Sequence, residues 1–89
     1  MEKFLRSIGI NKVGTYGKND SYVVDLNDSD EFGKVFSTLD NNEELEYMDE
    51  NNLLTVSNAT MIYRYKDQYQ VQLIADFNND AYKLVVNEL

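Results

Sequence analysis

The 89-residue chain contains no cysteine, no histidine and no proline. Without cysteine there is no disulfide framework, no thiol chemistry and no thiolate zinc site, a pattern that suits a reducing cytoplasm. Without histidine the chain lacks the commonest general base, the commonest metal ligand and the side chain that titrates near neutral pH. A Ser/His or Cys/His nucleophile cannot be assembled from these residues. No apolar run reaches the ~18 residues of a membrane helix, and "MEKFLRSIGINKVG" is too short in its apolar part for a signal peptide. The expectation from these absences is a cytoplasmic protein.

Internal repeats and Gly/Ser linkers are missing too, and the length supports a single domain over residues 1–89. Such a domain buries only roughly 60–65% of the surface its unfolded chain exposes. The 43% apolar content is enough to build one core.

Periodicity supplies the elements. Phe4, Leu5 and Ile8 fall on one side at helical spacing, which predicts a short helix from Glu2 to about Ile8. Gly9, Gly14 and Gly17 mark a loop, and "YVVDL" (Tyr22 to Leu26) reads as a strand. Asp28 or Ser29 can cap a second helix, and Asp28 with Glu31 has capping-box spacing. Phe32, Val35, Phe36 and Leu39 then form an i, i+3, i+4, i+7 stripe, with Asn41 and Asn42 as the stop. Beyond it the period becomes two. Leu45 and Tyr47 alternate with Glu44, Glu46 and Met48; Asp49 to Asn52 make a polar turn, and Leu53 to Val56 return as a strand. Thr60 to Lys66, Tyr69 to Phe77 and Tyr82 to Val86 are further strands, joined at Asp67 and at "NND". The overall order written from these segments is α-β-α-β-β-β-β. It predicts an α+β fold, a mostly antiparallel sheet with two helices packed on one face. The expected core is Phe32, Val35, Phe36, Leu39, Leu45, Tyr47, Val71, Leu73 and Phe77.

Candidate chemical motifs fail on their own requirements. "GINKVGTYG" carries Thr15-Tyr16 where a phosphate loop needs Lys and Ser/Thr, and it follows a helix instead of a strand. "DSDEFG" starts like a calcium loop, but Phe32 and Leu39 stand where oxygen ligands are required. "YRYKDQYQ" sets Tyr63, Tyr65 and Tyr69 beside Arg64 and Lys66, yet two cations do not offset a net charge of −8. Tyrosines at alternate strand positions are ordinarily a packed cross-strand face. Asn58-Ala59-Thr60 is a glycosylation acceptor only in a secreted chain. Asp25, between Val24 and Leu26, is the best carboxylate for acid–base work, but it has no visible second partner, and a solvent-facing strand position explains it. The expectation is a binding protein and not an enzyme, with no cofactor, no metal and no direct nucleic-acid binding.

The charge pattern is the one feature left unexplained. "DNNEELEYMDENN" (residues 40–52) holds six acids, four asparagines and no base. From Asp20 to Glu50 there are eleven acidic residues against Lys34 alone, while the remainder of the chain is slightly basic. One reading is a solvated face that aids solubility and needs no partner; because a solubilising surface normally mixes signs, the other is a docking face. Alternate strand residues point the same way roughly 6.5–7 Å apart, which projects Glu44 and Glu46 outward as a row. Asp49 and Glu50 extend it, Glu43 precedes it, and Asp30, Glu31 and Asp40 flank it from the helix. Such a row presents to a basic cleft what a phosphate backbone presents.

In size, in charge and in the run "EELEYMDEN" the chain resembles small acidic phage or mobile-element inhibitors, the anti-CRISPR and DNA-mimic proteins. That resemblance implies inhibition, in a host cytoplasm, of a basic nucleic-acid-binding protein or nuclease, with a CRISPR effector nuclease among the candidates. Two other classes fit the same residues: an immunity protein or antitoxin for a basic toxin nuclease, and a homo-oligomeric structural protein joined through a sheet edge.

Overall fold

The computed structural model describes residues 1–48, 53–54 and 57–89. Its elements are α1 (Glu2–Ser7), β1 (Thr15–Tyr16), a 3₁₀ turn (Lys18–Asp20), β2 (Tyr22–Leu26), α2 (Ser29–Asp40), β3 (Leu45–Tyr47), β4 (Leu53–Leu54), β5 (Asn58–Tyr65), β6 (Tyr69–Asp76) and β7 (Ala81–Glu88). The class is α+β. The sheet is antiparallel throughout in the order β1-β2-β7-β6-β5-β3, and β4 also pairs with β5. Five strands follow α2, matching the five segments named from the sequence, one more than the order written from them shows; β1 is an addition before β2. At two residues, β1 is too short to show a period.

Each helix ends where its sequence says it should. In α1, Gly9 takes φ +90°, its N–H bonds to the Arg6 carbonyl, and the Ile10 N–H bonds to that of Leu5 at 2.8 Å. This pair of bonds is a Schellman ending, sealed by buried Leu5 and Ile10. The glycine belongs to the helix cap and not to a phosphate cradle. In α2, the Asp28 side chain accepts from the Glu31 N–H at 2.9 Å, as the capping spacing predicts.

β2 and β3 run parallel, because four antiparallel pairings separate them. α2 is therefore a crossover that spans the sheet beneath β7, β6 and β5. Four strand spacings amount to about 19 Å, and a twelve-residue helix is about 18 Å long. This geometry carries the end of α2 to the far edge of the sheet, where the acidic run begins.

Both helices bury their apolar stripes against one sheet face. Phe4, Leu5 and Ile8 from α1 and Phe32, Val35 and Leu39 from α2 meet Tyr22, Val24, Leu26, Tyr63, Val71, Leu73, Ala75, Tyr82, Leu84 and Val86. Phe4 stacks on Tyr69 at 4.0 Å and meets Tyr65 edge-on at 5.0 Å, so the tyrosines of "YRYKDQYQ" belong to the packed face. Among the described residues the opposite face, with Val23, Asp25, Thr60, Ile74 and Lys83, carries no helix.

Three expected core residues are corrected. Phe36 is 36% exposed, Tyr47 42% and Phe77 43%. Phe36 lies one residue, about 100° of helix rotation, beyond Val35 and so falls at the rim of the stripe. Tyr47 sits on the edge strand with its ring 5.2 Å from Tyr63. Phe77 follows the end of β6 and lies edge-on over Phe32 and Tyr82. The expected hairpin is corrected as well. β3 and β4 do not pair with each other; both run along the same edge of β5, with Tyr47 opposite Tyr63 and Leu53 opposite Thr60. A hairpin of such short arms is marginal alone, whereas β5 is already anchored to β6. The expected turn at 49–52 and the end of the return strand at 55–56 lie outside the described residues.

Leu39 is fully buried, so Leu39→Ala is expected to cost about 2–5 kcal/mol. Phe36→Ala, at the rim, should cost about 1 kcal/mol or less. Urea unfolding of the two variants beside the wild type checks the ranking.

Candidate functional site

The acidic residues singled out by sequence fall into two groups. Asp30 and Glu31 occupy the first turn of α2, and Asp40 closes its last turn. At 1.5 Å per residue, about 15 Å of helix separates Asp30 from Asp40. Glu43 and Glu44 lie in the turn that follows, and Glu46 is on β3. The fold thus gathers Asp40, Glu43, Glu44 and Glu46 at one corner and leaves Asp30 and Glu31 at the other end of the helix. Asp49 and Glu50 lie outside the described residues.

Two of these carboxylates have internal work. Glu31 accepts from Lys12 Nζ at 2.6 Å and from the Asn27 N–H at 2.8 Å. With the Asp28 cap this makes a variant of the capping box, in which Glu31 reaches the N–H of the residue before the cap, and it also ties the Asn11–Gly14 loop to α2. The hydrogen bond from Lys12, then that from Asn27, holds the Glu31 carboxyl below the usual glutamate range. Glu44 is not part of an outward strand row, because β3 begins at Leu45. Its carboxylate accepts from the Tyr65 hydroxyl at 3.1 Å and pairs with Lys66 at 3.7 Å. Its own N–H donates to Asn42 Oδ1 at 2.9 Å, which shapes the turn.

The others are unpaired. Asp30, Asp40, Glu43 and Glu46 are exposed and form no ion pair among the described residues. Glu46 stands across from Arg64 in the ladder, but the Arg64 guanidinium reaches Asp67 instead, at 3.7 Å. Asp40 ends α2 with no basic residue in the last turn, where the helix already presents partial negative charge. Its charge acts on Tyr63, whose hydroxyl is buried without a hydrogen bond among the described residues. Burial first, and then Asp40, push the Tyr63 ionisation well above the usual tyrosine range.

The remaining candidates settle into structural places. Asp28 is a cap, and Phe32 packs in the core. Asp25 is exposed on the open sheet face opposite Lys83, not buried as acid–base work would require. Among the described residues no group of three or more acids is placed to hold a metal ion, and no helix is long and apolar enough to cross a membrane. The pairings of Glu31 with Lys12 and of Glu44 with Lys66 were hidden from sequence because they join segments 19 and 22 residues apart. No protein family, curated protein or solved structure matches the chain.

The Glu31 box has a pH signature. A carboxylate whose pKa is depressed on folding stabilises the fold above its unfolded pKa, and that contribution is lost as pH falls through the folded value. Glu31→Gln should therefore lower stability at pH 7, and its deficit should close as both proteins are acidified below the usual glutamate range. Denaturant midpoints of the two proteins at neutral and acid pH measure this.

Proposed function

We propose that the corner formed by the end of α2, the following turn and β3 docks into a cationic protein cleft that otherwise holds nucleic-acid phosphates. Occupying that cleft would inhibit its owner. The observation that carries this reading is Asp40. A carboxylate in the last helical turn works against the helix dipole by about 0.3–1 kcal/mol. Here it is followed by Glu43, Glu44 and Glu46, with Lys66 the one cation paired into the corner among the described residues. Local choices that disagree with stability mark places where something else is served. A partner supplying lysine or arginine would relieve this repulsion, steer association and fix orientation.

The acids are held on rigid supports. Asp40 is anchored through buried Leu39, and Glu46 through buried Leu45 and the β5 ladder. A nuclease of basic cleft, with a CRISPR effector among the candidates, fits this chemistry. The protein itself, at net charge −8, is a poor ligand for DNA or RNA.

Reversing Asp40, Glu43 and Glu46 together to Lys should leave the fold intact. Asp40→Lys alone should raise stability by about 0.3–1 kcal/mol, since a cation then meets the helix end. Retention of partners from a bacterial lysate by the immobilised triple variant should fall by about a hundredfold or more. A matched variant reversing Asp20, Asp67 and Asp80 should retain them. Equal retention by both variants would refute the docking surface.

A further inference from the structure

The cations are placed as unevenly as the anions. Four of the eight lie in the first eighteen residues, where Glu2 is the only acid. Three cations elsewhere or nearby are engaged: Lys12 with Glu31, Arg64 with Asp67 and Lys66 with Glu44. Lys3 and Arg6 form no ion pair among the described residues, in a chain where acids outnumber bases two to one. They are three residues apart in α1, so their side chains share one face of the helix. Both line a groove of about 350 Å³ between α1 and the β1–β2 ribbon, together with Glu2, Tyr16 and Tyr22.

The two tyrosines differ in state. Tyr22 is buried, and its hydroxyl accepts from the Gly14 N–H at 2.8 Å, so it is a fixed floor. A side chain at Gly14 would collide with the Val23 carbonyl, which keeps this loop tight against β2. Tyr16 stands edge-on to Tyr22, with ring centres 5.0 Å apart, and is 63% exposed. An aromatic ring held by one edge contact leaves a face open for stacking. Unpaired cations alone would suit any anion, and an exposed ring alone would be an unremarkable surface residue. Their meeting in one groove specifies a ligand with an anionic group and a planar ring.

We infer that the groove between α1 and β1 binds a mononucleotide, with its phosphate held between Lys3 and Arg6 and its base stacked on Tyr16. Glu2 at the rim accepts from a sugar hydroxyl or an exocyclic amine. The groove lies at the small end of the range for ligand pockets. A long polyanion is disfavoured because the strongly negative remainder of the chain repels phosphates beyond the first. This site shares no residue with the acidic corner, so either can fail without the other.

The test is a ¹⁵N-resolved NMR titration of the full chain with adenosine monophosphate, inorganic phosphate and adenosine as separate probes. The monophosphate should give saturable shifts at Lys3, Arg6 and Tyr16, and each fragment should bind about tenfold more weakly or worse. Lys3→Ala with Arg6→Ala should weaken the monophosphate by at least about tenfold while the rest of the spectrum is unchanged. Tyr16→Ala should remove the advantage of the nucleotide over phosphate and leave phosphate binding intact. The inference is overturned by any of four results: no saturable shift in the groove at millimolar nucleotide, shifts that persist unchanged in the double variant, phosphate binding as tightly as the nucleotide, or single-stranded RNA binding more tightly than the mononucleotide.

Discussion

The ladder between β2 and β7 is the contact on which the rest of the molecule depends. Its five residue pairs, from Tyr22 opposite Val86 to Leu26 opposite Tyr82, insert an early strand beside the last one. Tyr22, Val24 and Leu26 alternate inward there, against Tyr82, Leu84 and Val86. Strands β5, β6 and β7 form a local meander that needs only short turns. β2 has to be brought to them across the length of the chain, and the entropy of that closure is offset by a ladder whose helix-facing side is buried. Once β2 is fixed, α1 and α2 are both committed to the same face. α2 then has one way to reach β3, which is to cross the sheet. The acidic corner is where that crossing ends.

This arrangement explains how charge of one sign accumulates without unfolding so small a domain. The repulsion is held by an element whose inner side is sealed by Phe32, Val35 and Leu39, so stability comes from the buried stripe and not from the surface. Two of the carboxylates are recruited to hold local structure, Glu31 by Lys12 and Glu44 by Lys66. Asp30, Asp40, Glu43 and Glu46 form no ion pair among the described residues, and the last three lie together at the corner. On our proposal that corner is what a cationic partner reads. The α1 groove has the opposite character, with Lys3 and Arg6 in no ion pair among the described residues.

Much of this was legible in the residues, for physical reasons. A 3.6-residue period and a cap fix α2 locally, and a two-residue period fixes the inner face of β6, so Leu39, Val71 and Leu73 were identifiable as core. The rest depended on contacts remote in sequence. Whether β4 pairs with β3 or β5 is decided by which ladder is already anchored. The exposure of Phe36, Tyr47 and Phe77 comes from element ends and edges, which periodicity does not mark. The row expected from Glu44 and Glu46 dissolves because β3 starts one residue later than alternation implied, and because Glu44, though exposed, is engaged by Lys66 and Tyr65. The signal for the basic groove was present in the spacing of Lys3 and Arg6, but the ring that completes it comes from β1, a strand too short to announce itself.

The most direct test of the central claim is competition. Proteins held by the immobilised wild-type chain at low salt are challenged with short duplex DNA, and the amount released is measured against an uncharged polymer of similar size. If the acidic corner occupies a phosphate-binding cleft, the duplex should displace the partners and the neutral polymer should not. Partners that remain bound under saturating duplex would contradict the account, because the corner and the phosphate backbone would then not share a site.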